Sequence, residues 1–191
     1  PFKKAMDEGV DLLMTAHIQY PQIEKDQVVS KETGEKIYVP ATLSDDILTG
    51  LVRKKYGYKG VIVSDAMGMD AIAKNFGEVE AVKMAIKAGV DLVLMPTTLR
   101  SKADLSKIDT IVDAVVDAVK TGDISEERLN ESVRRILTLK EKRGVLNFDP
   151  SARTAEKAEV AVRSTLNRDL ERKIAAAAVT VVKNEDNTLP F

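Results

Sequence analysis

The chain has 191 residues, 44% of them hydrophobic and 31% charged, enough for one sizeable globular core. Lys and Arg total 29 against 30 Asp and Glu, so the formal net charge is -1 and neither a nucleic-acid partner nor an anionic membrane surface is expected. With no cysteine a disulfide framework is excluded, and no apolar run is long enough to span a bilayer.

Pro1-Phe2-Lys3-Lys4-Ala5-Met6-Asp7-Glu8 reads as a helix rather than a signal peptide, because no apolar core follows its basic residues. The chain does not begin with Met and stops at Thr188-Leu189-Pro190-Phe191, so both ends read as cuts in a longer protein. Three short, nearly continuous apolar runs follow in order, at residues 10–15, 60–65 and 90–95. Runs of that kind are expected of parallel strands covered on both faces.

Tyr20 to Ala41, with Pro21, Gly34 and Pro40, sustains neither period and reads as a loop on the active-site side of a barrel. A helix is predicted from Ser44, its N-cap, to Tyr56, stopped by Gly57. A second spans Glu78 to Lys87, with Val79, Val82, Met84 and Ile86 near one face, and ends at Gly89. A third covers Leu105 to Lys120, and a fourth opens at the cap-like Ser125 and runs to about Arg143. Residues 147–167 turn polar and read as a linker, with a helix at Thr154 to Val162. A helix at Leu170 to Ala178, a strand at Val179 to Val182 and a turn at Asn184-Glu185-Asp186-Asn187 follow. Strands alternating with helices predict a parallel α/β sheet. Gly9-Val10-Asp11-Leu12-Leu13 resembles Gly89-Val90-Asp91-Leu92-Val93, either as an internal repeat or as the common grammar of strand–helix units.

Two strand ends carry candidate chemistry. In Val61-Ile62-Val63-Ser64-Asp65-Ala66-Met67-Gly68-Met69 a carboxylate closes an apolar strand, where barrel enzymes place reacting groups. Asp65 is then a nucleophile or metal holder, or else the cap of the next helix. In Met14-Thr15-Ala16-His17 the only histidine occupies a similar place, with a structural or a catalytic role open to it. One His and no Cys argue against a metal site on composition. Neither a phosphate-binding glycine loop nor a serine nucleophile elbow occurs.

Taken together in this order, these segments resemble glycoside hydrolase family 3, most closely its β-N-acetylglucosaminidase branch. The resemblance is carried by Met14-Thr15-Ala16-His17-Ile18 with Tyr20-Pro21, by Pro40-Ala41-Thr42-Leu43-Ser44, by Leu51-Val52-Arg53, and by Tyr58 through Met69. Ala88 through Pro96, Val181-Val182-Lys183-Asn184-Glu185 and Leu189-Pro190 complete it. It implies the C-terminal portion of a TIM-type (β/α)8 barrel at residues 1–146, an interdomain linker at 147–168, and the start of a second α/β sandwich domain at 169–191.

The resemblance implies a retaining β-N-acetylhexosaminidase, acting on muropeptides or chitin-like oligosaccharides through a glycosyl-enzyme on Asp65. It needs no cofactor. His17, Met69 and Ser64 are placed with the sugar pocket, Ser64 alternatively as a residue that only shapes the strand end. Ala66-Met67-Gly68-Met69 favours this branch over β-glucosidases, where Trp typically follows the nucleophile. A β-glucosidase or β-xylosidase, a non-catalytic carbohydrate-binding barrel and an aldolase-type barrel are the other readings, the last disfavoured because no strand ends in Lys.

Departures from the family pattern set further expectations. The Asp-His acid/base loop and a Lys-His motif would lie upstream, so the chain by itself should be inactive. Its partner is the missing barrel half or a second copy of the chain. Aromatics are only 4%, so part of a sugar platform would come from elsewhere. An extracellular or cell-wall location is preferred, with a cytoplasmic one as the alternative.

Overall fold

A computed structural model describes residues 1–147, 149–150 and 154–185. It divides into two units, Pro1–Leu146 and Asn147–Phe191. In the first unit helix α1 (Phe2–Asp7) is stopped by Gly9, whose φ of +81° suits a residue without a side chain. Strand β1 (Leu12–Met14) follows. Strands β2 (Gln27–Val29) and β3 (Lys36–Tyr38) form an antiparallel hairpin, and β4 (Val61–Val63) pairs parallel with β1, Leu13 against Ile62.

Residues 90–95 lie along the other side of β4. Asp91 and Leu92 N–H donate to Ile62 O, Ser64 N–H donates to Leu92 O, and Val63 and Leu92 form a parallel bridge. The three apolar runs are therefore neighbours in one parallel arrangement, with the 10–15 and 90–95 runs flanking the 60–65 run.

Helices α2 (Asp70–Phe76), α3 (Glu78–Ala88), α4 (Leu105–Lys120) and α5 (Glu126–Lys142) complete the unit. Leu13, Ile62 and Val93 pack into a core with Leu48, Ile72, Phe76, Ala81 and Ala85. On the other face Leu12, Met14, Leu92 and Leu94 are exposed. The expectation of strands covered on both faces thus holds for one face within the described residues.

Several local expectations are corrected. Residues 20–41 are not irregular throughout. The β2–β3 hairpin turns through Gly34, at φ +73°, and sets Val28 and Ile37 against the core. Its two apolar positions per strand are too few to show a period. Ser30 Oγ donates to Asn75 Oδ1 at 2.6 Å, hooking the hairpin to α2.

The 44–56 helix is wound as a π-helix over Asp46–Lys55, so Ile47 and Val52, five apart, both face the core. Ser44 still accepts Ile47 N–H at its start, and donates to the buried Glu24 at 2.5 Å. Of the positions predicted for the buried face of α3, Val82 is buried and Met84 packs against the core, but Ala81, Ala85 and Ala88 form the rest of that face in place of Val79 and Ile86. Small side chains let it approach the core closely, which a hydrophobicity pattern underweights. The 105–120 and 125–143 helices form as predicted, and Ser125 Oγ accepts Arg128 N–H.

Helix α5 is held at the amino ends of the strands by the two aspartates of the repeated Gly-Val-Asp-Leu motif. Asp11 accepts from Lys142 at 2.8 Å and from Arg143. Lys142, then Arg143, hold its carboxyl below the usual carboxylate range. The side chain of Asp91 is fully buried and accepts from Arg53 (2.5 Å), Arg128 (3.3 Å), Arg135 (3.0 Å), Ser132 (2.7 Å) and Ile62 N–H (2.9 Å). Burial lowers the affinity of Arg53 for its proton, with Asp91 opposing that. The motif thus does a shared structural job at both strand starts.

The second unit contains α6 (Ala155–Val162), capped by Thr154, and α7 (Thr165–Ala178), capped by Ser164. Neither helix has a buried residue, and Leu166, Leu170 and Ile174 form an exposed stripe on α7. Val179–Val182 is not a strand, because a strand needs a hydrogen-bonded neighbour and none occurs among the described residues. The turn expected at 184–187 and the Leu189-Pro190 motif extend outside the described residues, as does part of the 147–168 segment.

Candidate active site

Asp65 lies just beyond the carboxyl end of β4, outside any helix. Thr15 and Leu94 end the neighbouring runs beside it, as Thr15 N–H donates to Val63 O and Met67 N–H to Leu94 O. Its side chain is half-buried. Oδ1 accepts the N–H of Ala66 at 2.7 Å, while Oδ2 has no hydrogen bond among the described residues.

His17 and Thr15 come from the end of β1, and Thr42 from the short 3-10 turn Ala41–Leu43. His17 Nδ1 lies 2.9 Å from Thr42 Oγ1, and its Nε2 donates to Ala66 O at 3.0 Å. Thr42 Oγ1 is 2.8 Å from Thr15 Oγ1, which accepts Asp65 N–H at 3.3 Å. Asp65 and His17 are thus brought together through two threonines. Thr42 is fully buried and was not singled out as functional by the sequence; a Thr inside Ala-Thr-Leu, 25 residues from its histidine partner, carries no local signal.

Ser64 is fully buried and its Oγ accepts Leu94 N–H at 2.8 Å, so its contact is with the neighbouring strand end. Met69 is exposed at the rim of the same loop, 48% accessible. Met95, opposite, is the one non-glycine with a positive φ (46°) among the described residues, and its carbonyl accepts Gly68 N–H. No cluster of three metal-ligating side chains occurs among the described residues. A 590 Å³ cleft lined by Tyr58, Arg135, Thr138 and Lys142 lies at the opposite, amino end of the strands and is remote from Asp65.

A carboxylate at the carboxyl edge of parallel strands, with helices packed behind them, is the arrangement of barrel-type α/β enzymes. Comparison with known proteins sharpens this. Residues 1–139 match the glycosyl hydrolase family 3 N-terminal domain. A β-hexosaminidase A of Pseudoalteromonas piscicida is 38% identical over 180 residues, 94% of this chain and 29% of that protein. A periplasmic β-glucosidase of Salmonella typhimurium is 28% identical over 198 residues, all of this chain and 22% of that protein. The structure of a glycoside hydrolase family 3 β-N-acetylglucosaminidase from Paenibacillus sp. FPU-7 superposes with a TM-score of 0.65 at 36% identity, over 85% of this chain and 29% of that one. The chain belongs to glycosyl hydrolase family 3, and its first unit has the α/β fold of part of that family's barrel domain. It spans less than a third of the length of these relatives. No helix among the described residues is long and apolar enough to cross a membrane.

Proposed function

We propose that this chain is part of a retaining β-N-acetylhexosaminidase that removes terminal N-acetylglucosamine from muropeptides or chitin-like oligosaccharides. The observation that carries this reading is the half-exposed Asp65 carboxylate, with one oxygen held by Ala66 N–H and the other without a partner among the described residues, at the carboxyl ends of three adjacent parallel runs. In the proposed reaction Asp65 Oδ2 attacks the anomeric carbon as the glycosidic C–O bond breaks. The departing oxygen takes a proton from an acid outside this chain. Water, deprotonated by the same group, then attacks the anomeric carbon and frees Asp65.

Met69 is assigned to the sugar pocket and Ser64 to shaping the strand end. Residues 1–146 are read as barrel, 147–168 as linker and 169–191 as the start of a further domain, a reading supported by the lack of buried residues in α6 and α7. The bare face of Leu12, Met14, Leu92 and Leu94 is assigned to contact with the rest of the barrel. A periplasmic relative supports an extracytoplasmic location, and it also supports β-glucosidase as the second reading.

Rates of the full-length protein on aryl β-N-acetylglucosaminide and aryl β-glucoside test the proposal. A preference of at least about tenfold in kcat/KM for the N-acetyl sugar, ~1.4 kcal/mol, is expected. The reverse preference selects the β-glucosidase reading, and absence of hydrolysis of either selects a binding role.

A further inference from the structure

The backbone just past β4 leaves the strand ladder, and its polar groups must find other partners. Those of Asp65 and Ala66 find them in one connected chain. Its two ends have fixed polarity: Asp65 N–H can only donate, and Ala66 O can only accept. His17 Nε2, 3.0 Å from that carbonyl, therefore carries a proton. In the neutral imidazole Nδ1 is then an acceptor, and the Thr42 hydroxyl 2.9 Å away donates to it. Having used its hydrogen there, Thr42 Oγ1 accepts from the Thr15 hydroxyl at 2.8 Å, and Thr15 Oγ1 accepts Asp65 N–H at 3.3 Å. With the imidazole neutral every hydrogen in the chain has one place, and the links polarise one another in a single direction. Thr42 is fully buried and Thr15 nearly so, which shields the links from exchange with water.

Both ring nitrogens of His17 are thus engaged within the protein, on the backbone of the residue that follows Asp65 and on Thr42. We infer that Thr15, Thr42 and His17 are one positioning unit, which grips the backbone on both sides of the Asp65 side chain and so fixes the direction of its carboxylate. The inference rests on the reading of Asp65 as nucleophile. His17 acts through Asp65 rather than by hydrogen-bonding the sugar, and Thr42 couples the 20–41 loop to the reacting group. Misplacing a reacting atom by about 1 Å costs on the order of a hundredfold in rate, so even a soft brace has a kinetic signature.

In the full-length protein, Thr42→Val keeps the shape and removes two links, whereas Thr42→Ser keeps both. Thr42→Val should lower kcat about ten- to a hundredfold with KM changed less than about threefold, while Thr42→Ser stays within about threefold of wild type. Adding His17→Gln to Thr42→Val should cause little further loss, because the two break one chain. Equal kcat for the Val and Ser variants, or losses that multiply, overturn the inference.

A second measurement reads the tautomer in the wild-type protein and needs no activity from a variant. Long-range proton–nitrogen correlation spectra at mildly alkaline pH, with the His17 signals assigned by their loss in His17→Gln, should show the Nε2-protonated tautomer. The Nδ1-protonated tautomer overturns the unit. Asp65→Asn serves as the control that separates the two readings. Full activity there overturns the nucleophile assignment, whereas an inactive Asp65→Asn beside a fully active Thr42→Val overturns the positioning unit alone.

Discussion

The two ends of the same strands treat their aspartates in opposite ways. At the amino end Asp91 has no exposed side-chain surface and takes hydrogen bonds from three arginines, a serine and a backbone amide. At the carboxyl end Asp65 is half-exposed, takes one backbone hydrogen bond, and is flanked by hydroxyl and imidazole links on its backbone. No cation pairs with Asp65 among the described residues. A carboxylate fully satisfied by guanidinium groups holds a helix in place but is a poor nucleophile, since its lone pairs are engaged. Steadying the backbone instead leaves one oxygen without a partner among the described residues. Under the proposed function, position along a parallel strand separates architecture from chemistry.

The largest expected effect is that of Asp65→Asn, which should lower turnover of the full-length protein by several orders of magnitude while sugar binding and melting temperature stay close to wild type. Activity within about tenfold of wild type, on an aryl β-N-acetylglucosaminide, would erase the contrast between the two aspartates. Asp91→Asn should do the reverse. It leaves three guanidinium groups around a neutral amide and should destabilise by ~3–5 kcal/mol in denaturant melts, with kcat per folded molecule preserved. A stable but inactive Asp91→Asn would move chemistry to the amino end.

The bare sheet face gives the next test. The 191-residue chain expressed alone should show no hydrolase activity and should not be a compact monomer, because among the described residues Leu12, Met14, Leu92 and Leu94 are uncovered and β1 has an open edge. Light scattering that reveals an active monomer with a cooperative melt refutes this. The smallest effect is at Asp11. Its carboxyl is held below the ordinary value of 3.8 by Lys142 and Arg143, so the stability it adds is present above that value and is lost as pH falls through the lowered one. Wild type should therefore melt slightly higher than Asp11→Asn at neutral pH, and the gap should close at strongly acid pH.

Much of this was legible in the sequence, and for physical reasons. Short, nearly continuous apolar runs such as Val61-Ile62-Val63, each followed by a segment with helical spacing, point to parallel strands, and Asp65 is conspicuous because a carboxylate ends one of them. Gly9, Gly57 and Gly89 mark helix stops, where the backbone takes a positive φ. What was not legible depends on contacts distant in sequence. Thr42 matters through Thr15 and His17, and Asp91 through arginines on the π-helix and α5. The hairpin at 27–38 was missed because its strands are three residues each, below the length at which alternation becomes visible. The tight alanine face of α3 was missed because hydrophobicity ranks Ala below Val and Ile, whereas close packing favours it.

The proposed reaction passes through a covalent bond between the sugar and Asp65, and that bond can be trapped. The full-length protein would be incubated with a fluorinated N-acetylglucosaminyl fluoride, whose good leaving group allows attack while its ring fluorine slows release. It would then be digested and its peptides sequenced by mass spectrometry. One added sugar residue is expected, on the peptide carrying Val63-Ser64-Asp65-Ala66-Met67 and located at Asp65. A sugar on any other residue, or an active enzyme that turns the probe over without ever carrying it, would contradict it.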